Sequence, residues 1–547
     1  MTSELQNTTI DFKNDSLIET EHIFPTSECC KGCSLKETLI NLRCSSNYWQ
    51  SRHKDAVLRE ICLKTENENF QARIRYLENQ LYGHKSEQHV KSESCQRDNE
   101  PKRKRGQQVG YKSHGRRDYS DLPTSEEEIS LDDKLCFCTK CGLPFLEMPE
   151  REEGEILTIE VKGYRRLYRR KKYTPSCNCP ENKGIITAPV PSKLIPKHGI
   201  DVPIWVEILI EKYLYQRPLS RTLSRLANYG LNLPIGTICD NLIRLFPFFE
   251  PIRDAIHEKS LQESWWHADE TRWSVFELTE DKKTYRWYVW VFLSESTVVY
   301  VLAPGRGSDV VEDYFGSTED GFLCVDRYSA YKCFVKTHTG FLLVFCWAHV
   351  RRDFLDVGKT RPELEDWSFS WVNRIGELYS LNNNRVQYAV NTTEFKKYDE
   401  LLHDAVTCMC NQRDTERNNP TLHTSCKKVL ESLKNHWHGL TVFLDHPHIP
   451  MDNNPAERML RNNAVGRKNY YGSVTCESGY FTMTLFSIFQ TLLMWEINPY
   501  TWLTRYLWAC AENGGQVLHD ISQFLPWNMS EDDLVYYRHP PPIDMRK

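Results

Sequence analysis

No stretch of this 547-residue chain approaches the ~18 or more consecutive apolar residues that a membrane-spanning helix needs. Its opening residues, MTSELQNTTIDFKND, lack the basic and apolar regions of an export signal. Charge of one sign is missing too. Lys and Arg number 69 against 74 Asp and Glu, which excludes a wholly basic nucleic-acid-coating protein and confines any basic footprint to local segments. A mostly disordered chain is excluded by 12% aromatic and 40% hydrophobic content. The expectation is a soluble, cytoplasmic, multidomain protein, since this length corresponds to about three or four units. Cysteine, by contrast, is plentiful. Without an export signal, the 20 cysteines suit metal binding or burial better than a disulfide scaffold.

Residues 1–51 read as an irregular polar leader, whose Cys29, Cys30, Cys33 and Cys44 have no His or second CxxC pair at ligand spacing. Residues 52–88 read as a helix. No Pro or Gly precedes Gly83; Ala56, Leu63, Phe70 and Leu77 recur every seven residues, and Ile74 and Leu81 fill a second seam. That pattern predicts a coiled coil and a homo-oligomer. Glu60 and Asn67 interrupt the second seam, so an amphipathic helix packed on its own domain is the alternative. A basic linker follows over 89–120, where PKRKRGQQVGYKSHGRR holds Lys102, Arg103, Lys104, Arg105, Lys112, Arg116 and Arg117 and no acid. Such a segment releases counterions from a phosphate backbone and binds nucleic acid without reading its sequence; a solvated linker is the plainer reading.

Residues 121–195 contain CFCTKC and CNC, joined by the alternating basic stretch VKGYRRLYRRKKYTP. Two thiolate clusters flanking a strand suit a zinc ribbon with Cys138, Cys141, Cys177 and Cys179 as ligands of a structural Zn²⁺. Cys136 could replace one of them, and reduced buried thiols are the alternative. Arg166, Arg170 and Lys172, with Lys162, Arg165, Arg169 and Lys171, put positive charge on both faces of the strand, as a DNA-contacting ribbon would. Residues 196–258 are helical by period. There PLSRTLSRLANYG and LPIGTICDNLIRLF have the outline of a helix-turn-helix whose second helix starts near Ile235, or of an ordinary helical hairpin.

From Ser264 the elements run β-β-β-α-β-α-β-α, with Asp269 on the first strand and Asp326 at the end of the fourth, the order of a ribonuclease H-like core (259–354). Neighbouring strands then bring the two carboxylates together, where they repel unless a cation such as Mg²⁺ lies between them. His267 shares the Asp269 face by two-residue alternation. Residues 355–440 read as a polar helical insertion, 441–510 as the second part of the core, and 511–547 as a tail. A third acid is expected in PMDNNPAERMLRNNAVGRKNYYG. Asn454 can cap that helix and Pro455 open it, which puts Glu457 in the first turn, with Asp452 and Asp445 as competitors. Arg458, Arg461, Arg467 and Lys468 on and just beyond it suit phosphate contacts.

HADET, VDRYSAY, CWAHVRRDF, DNNPAERMLR and GRKNYYG, in this order, resemble the large transposases of the insertion sequence 66 family, which belong to the DDE (Asp-Asp-Glu) group. QLYGHKSE, the cysteine clusters and APVPSKLIPKHGI extend the resemblance to about residues 55–510. It implies that Asp269, Asp326 and Glu457 form the triad, that two Mg²⁺ (or Mn²⁺) ions about 3.5–4 Å apart serve cleavage and strand transfer, and that DNA ends and target DNA are the partners. Small accessory proteins of the same element are further implied partners. The CxxH formed by Cys346 and His349 resembles a signature whose His helps stabilise the reacting phosphate; a buried Cys and a helix-start His is the alternative. Arg327 stands where the family usually has Gly, and CxC replaces one CxxC. The other functions that these features allow are a nuclease or resolvase without strand transfer and a non-catalytic zinc-containing DNA-binding protein.

Overall fold

The structure, a computed structural model, describes residues 34–82, 161–174, 185–196, 198–280 and 282–538, with the single residues 140, 143 and 176. The chain divides into two compact units, residues 1–90 and 91–547. The described part of the first is one helix, α1 (Ser34–Tyr82). It starts well before residue 52, so part of the expected irregular leader is helical, because neither Gly nor Pro occurs between Gly32 and Gly83 to break it. Its seam residues Leu63, Phe70, Ile74, Leu77 and Leu81 are exposed.

In the second unit, β1 (Lys172–Tyr173) pairs antiparallel with β2 (Ile186–Thr187). The basic stretch is therefore strand for two residues only, and 161–171 has no ladder partner among the described residues, since β2 is equally short. Helices α2 (Val202–Leu209), α3 (Leu219–Ala227), α4 (Ile235–Arg244) and α5 (Phe246–Leu261) follow, α2 passing into a π-turn at Ile210–Leu214.

A five-stranded sheet forms the centre: β3 (Trp265–Ser274), β4 (Arg286–Leu293), β5 (Val298–Ala303), β6 (Asp320–Val325) and β7 (Gly340–Phe345). Its order is β5-β4-β3-β6-β7, antiparallel across β5, β4 and β3 and parallel across β3, β6 and β7. The parallel pairs need crossovers, supplied by α6 (Asp309–Phe315) before β6 and α7 (Ser329–Thr337) before β7. These strands are apolar on both faces because helices cover both. On one face Trp266 packs on Phe315, and Phe292 stacks on Tyr314 at 3.6 Å.

After β7 come α8 (Trp347–Thr360), then α9 (Glu365–Arg385), α10 (Thr393–Arg417), α11 (Thr424–Asn435) and α12 (Trp437–Asp445), then α13 (Asn454–Tyr470) and α14 (Cys476–Met494) on the second face. There Phe486 of α14 meets Trp273 and Tyr300. Hydroxyls of the same helix close the sheet edge, Ser487 Oγ accepting from Tyr300 N–H (2.8 Å) and Thr491 Oγ1 from Val298 N–H (3.0 Å). An edge strand whose amides are occupied cannot recruit another strand. Fully buried Arg385 joins three helices, donating to Asp399 (2.7 Å) of α10 and to the Phe443 carbonyl (2.6 Å) of α12. The chain continues through α15 (Pro499–Glu512) to α16 (Glu531–Arg538). Phe524, Leu525, Leu534 and Tyr537 are buried, so 511–538 is packed structure rather than tail.

Candidate active site

The register of β3 against β6 aligns His267 with Cys324, and two residues further along each chain lie Asp269 and Asp326. Parallel pairing thus brings both acids to the same level, Asp326 just past its strand end. Glu457 lies in the first turn of α13. The Asp269 carboxyl is pushed up to about 7, first by burial and also by the negative charges of Glu270, Asp326 and Glu457.

Each acid has one oxygen engaged locally. Asp269 Oδ1 accepts from Glu270 N–H (2.8 Å), Asp326 Oδ1 accepts from Tyr328 N–H (2.8 Å), and Glu457 Oε1 lies 3.4 Å from His349 Nε2. With the side chains so turned, no three His, Cys, Asp or Glu residues among those described close on a common metal position. The donor set nonetheless fits a hard divalent cation: three carboxylates, a second oxygen on each, and mutual repulsion that only added positive charge relieves. His349, in the first turn of α8, is held below the ordinary histidine range by burial, and its Nδ1 is buried without a partner.

Asn453 fixes α13 to the sheet. Its Oδ1 meets His267 Nδ1 at 2.9 Å, its Nδ2 donates to the Ala268 carbonyl (2.7 Å), and its backbone N–H donates to Cys346 Sγ (3.2 Å). The helix cap is therefore at Asn453, not Asn454, and it makes no side-chain capping bond because that side chain reaches the sheet. The Asn454 N–H is instead taken by Asp452 Oδ1 (3.0 Å), which commits this competitor acid to the turn. Asp445, the other, ends α12. His267 is buried and held at about 4, chiefly by desolvation.

Glu270 belongs to a second layer that the sequence did not single out. On the opposite face of β3 from Asp269, it accepts from Arg306 Nε (2.8 Å) and Tyr331 O–H (2.6 Å). Arg306 lies over the Tyr328 ring at 3.9 Å, and Tyr328 O–H donates to the Arg306 carbonyl (2.8 Å). The turn that carries Asp326 is thereby clamped to β3. Arg327 extends the clamp, donating to Ser432 Oγ (2.9 Å) and pairing with Asp353 (2.6 Å) without a positive φ, so this turn does not require glycine. The only sequence signal for the layer was adjacency: Glu270 sits within HADET, Tyr328 and Tyr331 within DRYSAY.

Among the expected DNA contacts, Arg458, Arg461 and Lys468 are exposed on α13, whereas Arg467 turns to β3, donating to Thr271 Oγ1 (3.3 Å) and the Arg272 carbonyl (2.5 Å). Arg166, Arg170 and Lys172 are exposed. Arg166 donates to the Tyr164 (3.0 Å) and Tyr168 (3.5 Å) hydroxyls, and Arg170 to the Ala188 carbonyl (2.6 Å). Cys138, Cys141, Cys177 and Cys179, with Lys102, Arg103, Lys104 and Arg105, lie outside the described residues.

Residues 200–480, the span that holds all three acids, match the family described as Transposase IS66 family. The chain is 25% identical over 430 residues to the uncharacterized protein y4jD of Sinorhizobium fredii, covering 76% of this chain and 81% of that one. To y4hP of the same organism it is 22% identical over 424 residues, covering 71% and 73%.

Proposed function

Because this chain belongs to the Transposase IS66 family, we propose that it cuts and joins DNA with Asp269, Asp326 and Glu457 as the triad of a ribonuclease H-like core. The observation that carries the reading is the β3–β6 register, which sets Asp269 and Asp326 level on neighbouring inner strands, with the charge of Glu457 acting on Asp269. The three would hold two Mg²⁺ or Mn²⁺ ions. Bound there, the metals would supply nucleophile activation and stabilise the leaving oxygen.

The remaining roles belong to the chain. Neutral His349 beside Glu457 orients that carboxylate and lies where it could meet the reacting phosphate. Asn453 holds α13 to β3, so Glu457 approaches the two aspartates on a rigid element. Arg458, Arg461 and Lys468 recur at helical spacing on the exposed side of α13 and run along the phosphate backbone that enters the site. A zinc ribbon at Cys138, Cys141, Cys177 and Cys179, the basic linker and α4 as recognition helix hold the DNA ends, α1 pairs copies of the chain, and α9–α12 form an insertion in the core.

The test is Mg²⁺-dependent nicking and joining of duplexes that carry the element's ends. Asp269→Asn, Asp326→Asn and Glu457→Gln each abolish nicking while end binding by gel shift persists. Retained nicking by any one variant removes that residue from the triad, and nicking without joined product by the wild type makes the protein a nuclease.

A further inference from the structure

A cavity of about 480 Å³ opens beside the far end of β3, lined by Arg272, Trp273, Ser274, Tyr285, Arg286 and Arg467. Three guanidiniums share it, and none of them forms an ion pair among the described residues. Arg467 spends only its Nη1 on the strand. Arg272 and Arg286 are exposed and Arg467 is half-buried, so three like charges converge on an open cleft, an arrangement that favours an anion between them.

The cavity has aromatic company. Phe276 and Tyr285 are 47% and 49% exposed, with ring centroids 5.8 Å apart. Tyr471, 71% exposed, stands on the adjoining loop. That loop is fixed to the strand end: Ser473 N–H donates to the Ser274 carbonyl (2.9 Å) and Phe276 N–H to the Ser473 carbonyl (3.0 Å). Gly472, with φ +151°, comes so near that a Cβ would lie 2.1 Å from the Ser274 oxygen. The platform is therefore preformed.

Arginines for phosphate and exposed ring faces for bases are the two parts of a single-strand site, because paired bases hide the faces that stack. Glu457 and Arg467 share α13, about 15 Å apart along its axis at 1.5 Å per residue. Asp269 and Arg272 share β3, about 10 Å apart. We propose that this cavity and its aromatic rim bind unpaired DNA a few nucleotides from the bond being cut, phosphate on Arg272, Arg286 and Arg467 and bases on Tyr285 and Phe276. The proposal rests on the transposase reading above and names which form of DNA this surface takes.

The test uses the full chain with two fluorescein-labelled probes, dT20 and a 20-base-pair duplex, followed by anisotropy, and a dT20 analogue that carries 2-aminopurine. Arg286→Ala and Tyr285→Ala are exposed-site variants, checked for unchanged thermal melting. Each weakens dT20 binding about tenfold and leaves duplex affinity within twofold. Tyr285→Ala abolishes 2-aminopurine quenching, and Arg286→Ala lowers the slope of log affinity against log salt for dT20 by about 0.7. Equal weakening for both probes, or none for either, overturns the proposal while leaving the transposase reading intact. Failure of the wild type to bind the duplex would count against that reading instead.

Discussion

At the scale of single residues, Asp269 shows what gathering acids costs. Its carboxyl is lifted from 3.8 to about 7 by burial and its acidic neighbours, so in metal-free protein it keeps a proton that the unfolded chain has already lost. The folded state then binds more protons, and this group's contribution to stability falls as pH rises across that window. Metal-free Asp269→Asn should accordingly melt a few degrees above wild type at pH 8, with the gap shrinking as pH approaches 4, by calorimetry. Mg²⁺ at pH 8 should raise the wild-type midpoint and not the variant's. Asn453→Ala should cost about 2–4 kcal/mol in urea unfolding, since the imidazole of His267 and the Ala268 carbonyl lose buried partners. The positions of Asp269 within the first strand and Asp326 at the end of the fourth were legible, because strand patterning locates strands and their ends. Asn453 was not: DNN offers two adjacent asparagines, and which one caps depends on a partner far away in the chain.

Among elements, close approach decides the geometry. A Cβ on Gly439 of α12 would lie 2.5 Å from the Phe345 ring and 2.7 Å from the Leu343 carbonyl of β7. Gly439→Ala should force helix and strand apart and destabilise the core by about 1–3 kcal/mol, read as a lower urea midpoint. The sheet strands were legible as runs such as YRWYVWVFLS and TVVYVLA, and α13 from its Asn-Pro start. The basic stretch at 161–174 was not, because alternation describes a strand only where another strand pairs with it, and β2 offers two residues. Nor was the packed end of the chain, whose polar composition hides Phe524, Leu525, Leu534 and Tyr537.

For the whole molecule, α1 carries an exposed apolar seam, and a second copy in parallel or antiparallel register is the simplest cover. Leu63→Glu with Phe70→Glu should lower the mass measured by sedimentation equilibrium to that of one chain without changing the melting of the second unit; an unchanged mass would place assembly elsewhere. What the sequence settled by itself was local: periodicity, turn residues and which acid lies within a strand and which just past one, because these follow from backbone geometry over a few residues. Tertiary structure alone decided which side chains meet. Glu270 with Arg306 and Tyr331, Asn453 with His267, and the three arginines around one cavity are meetings across long stretches of chain, set by packing that no local pattern encodes.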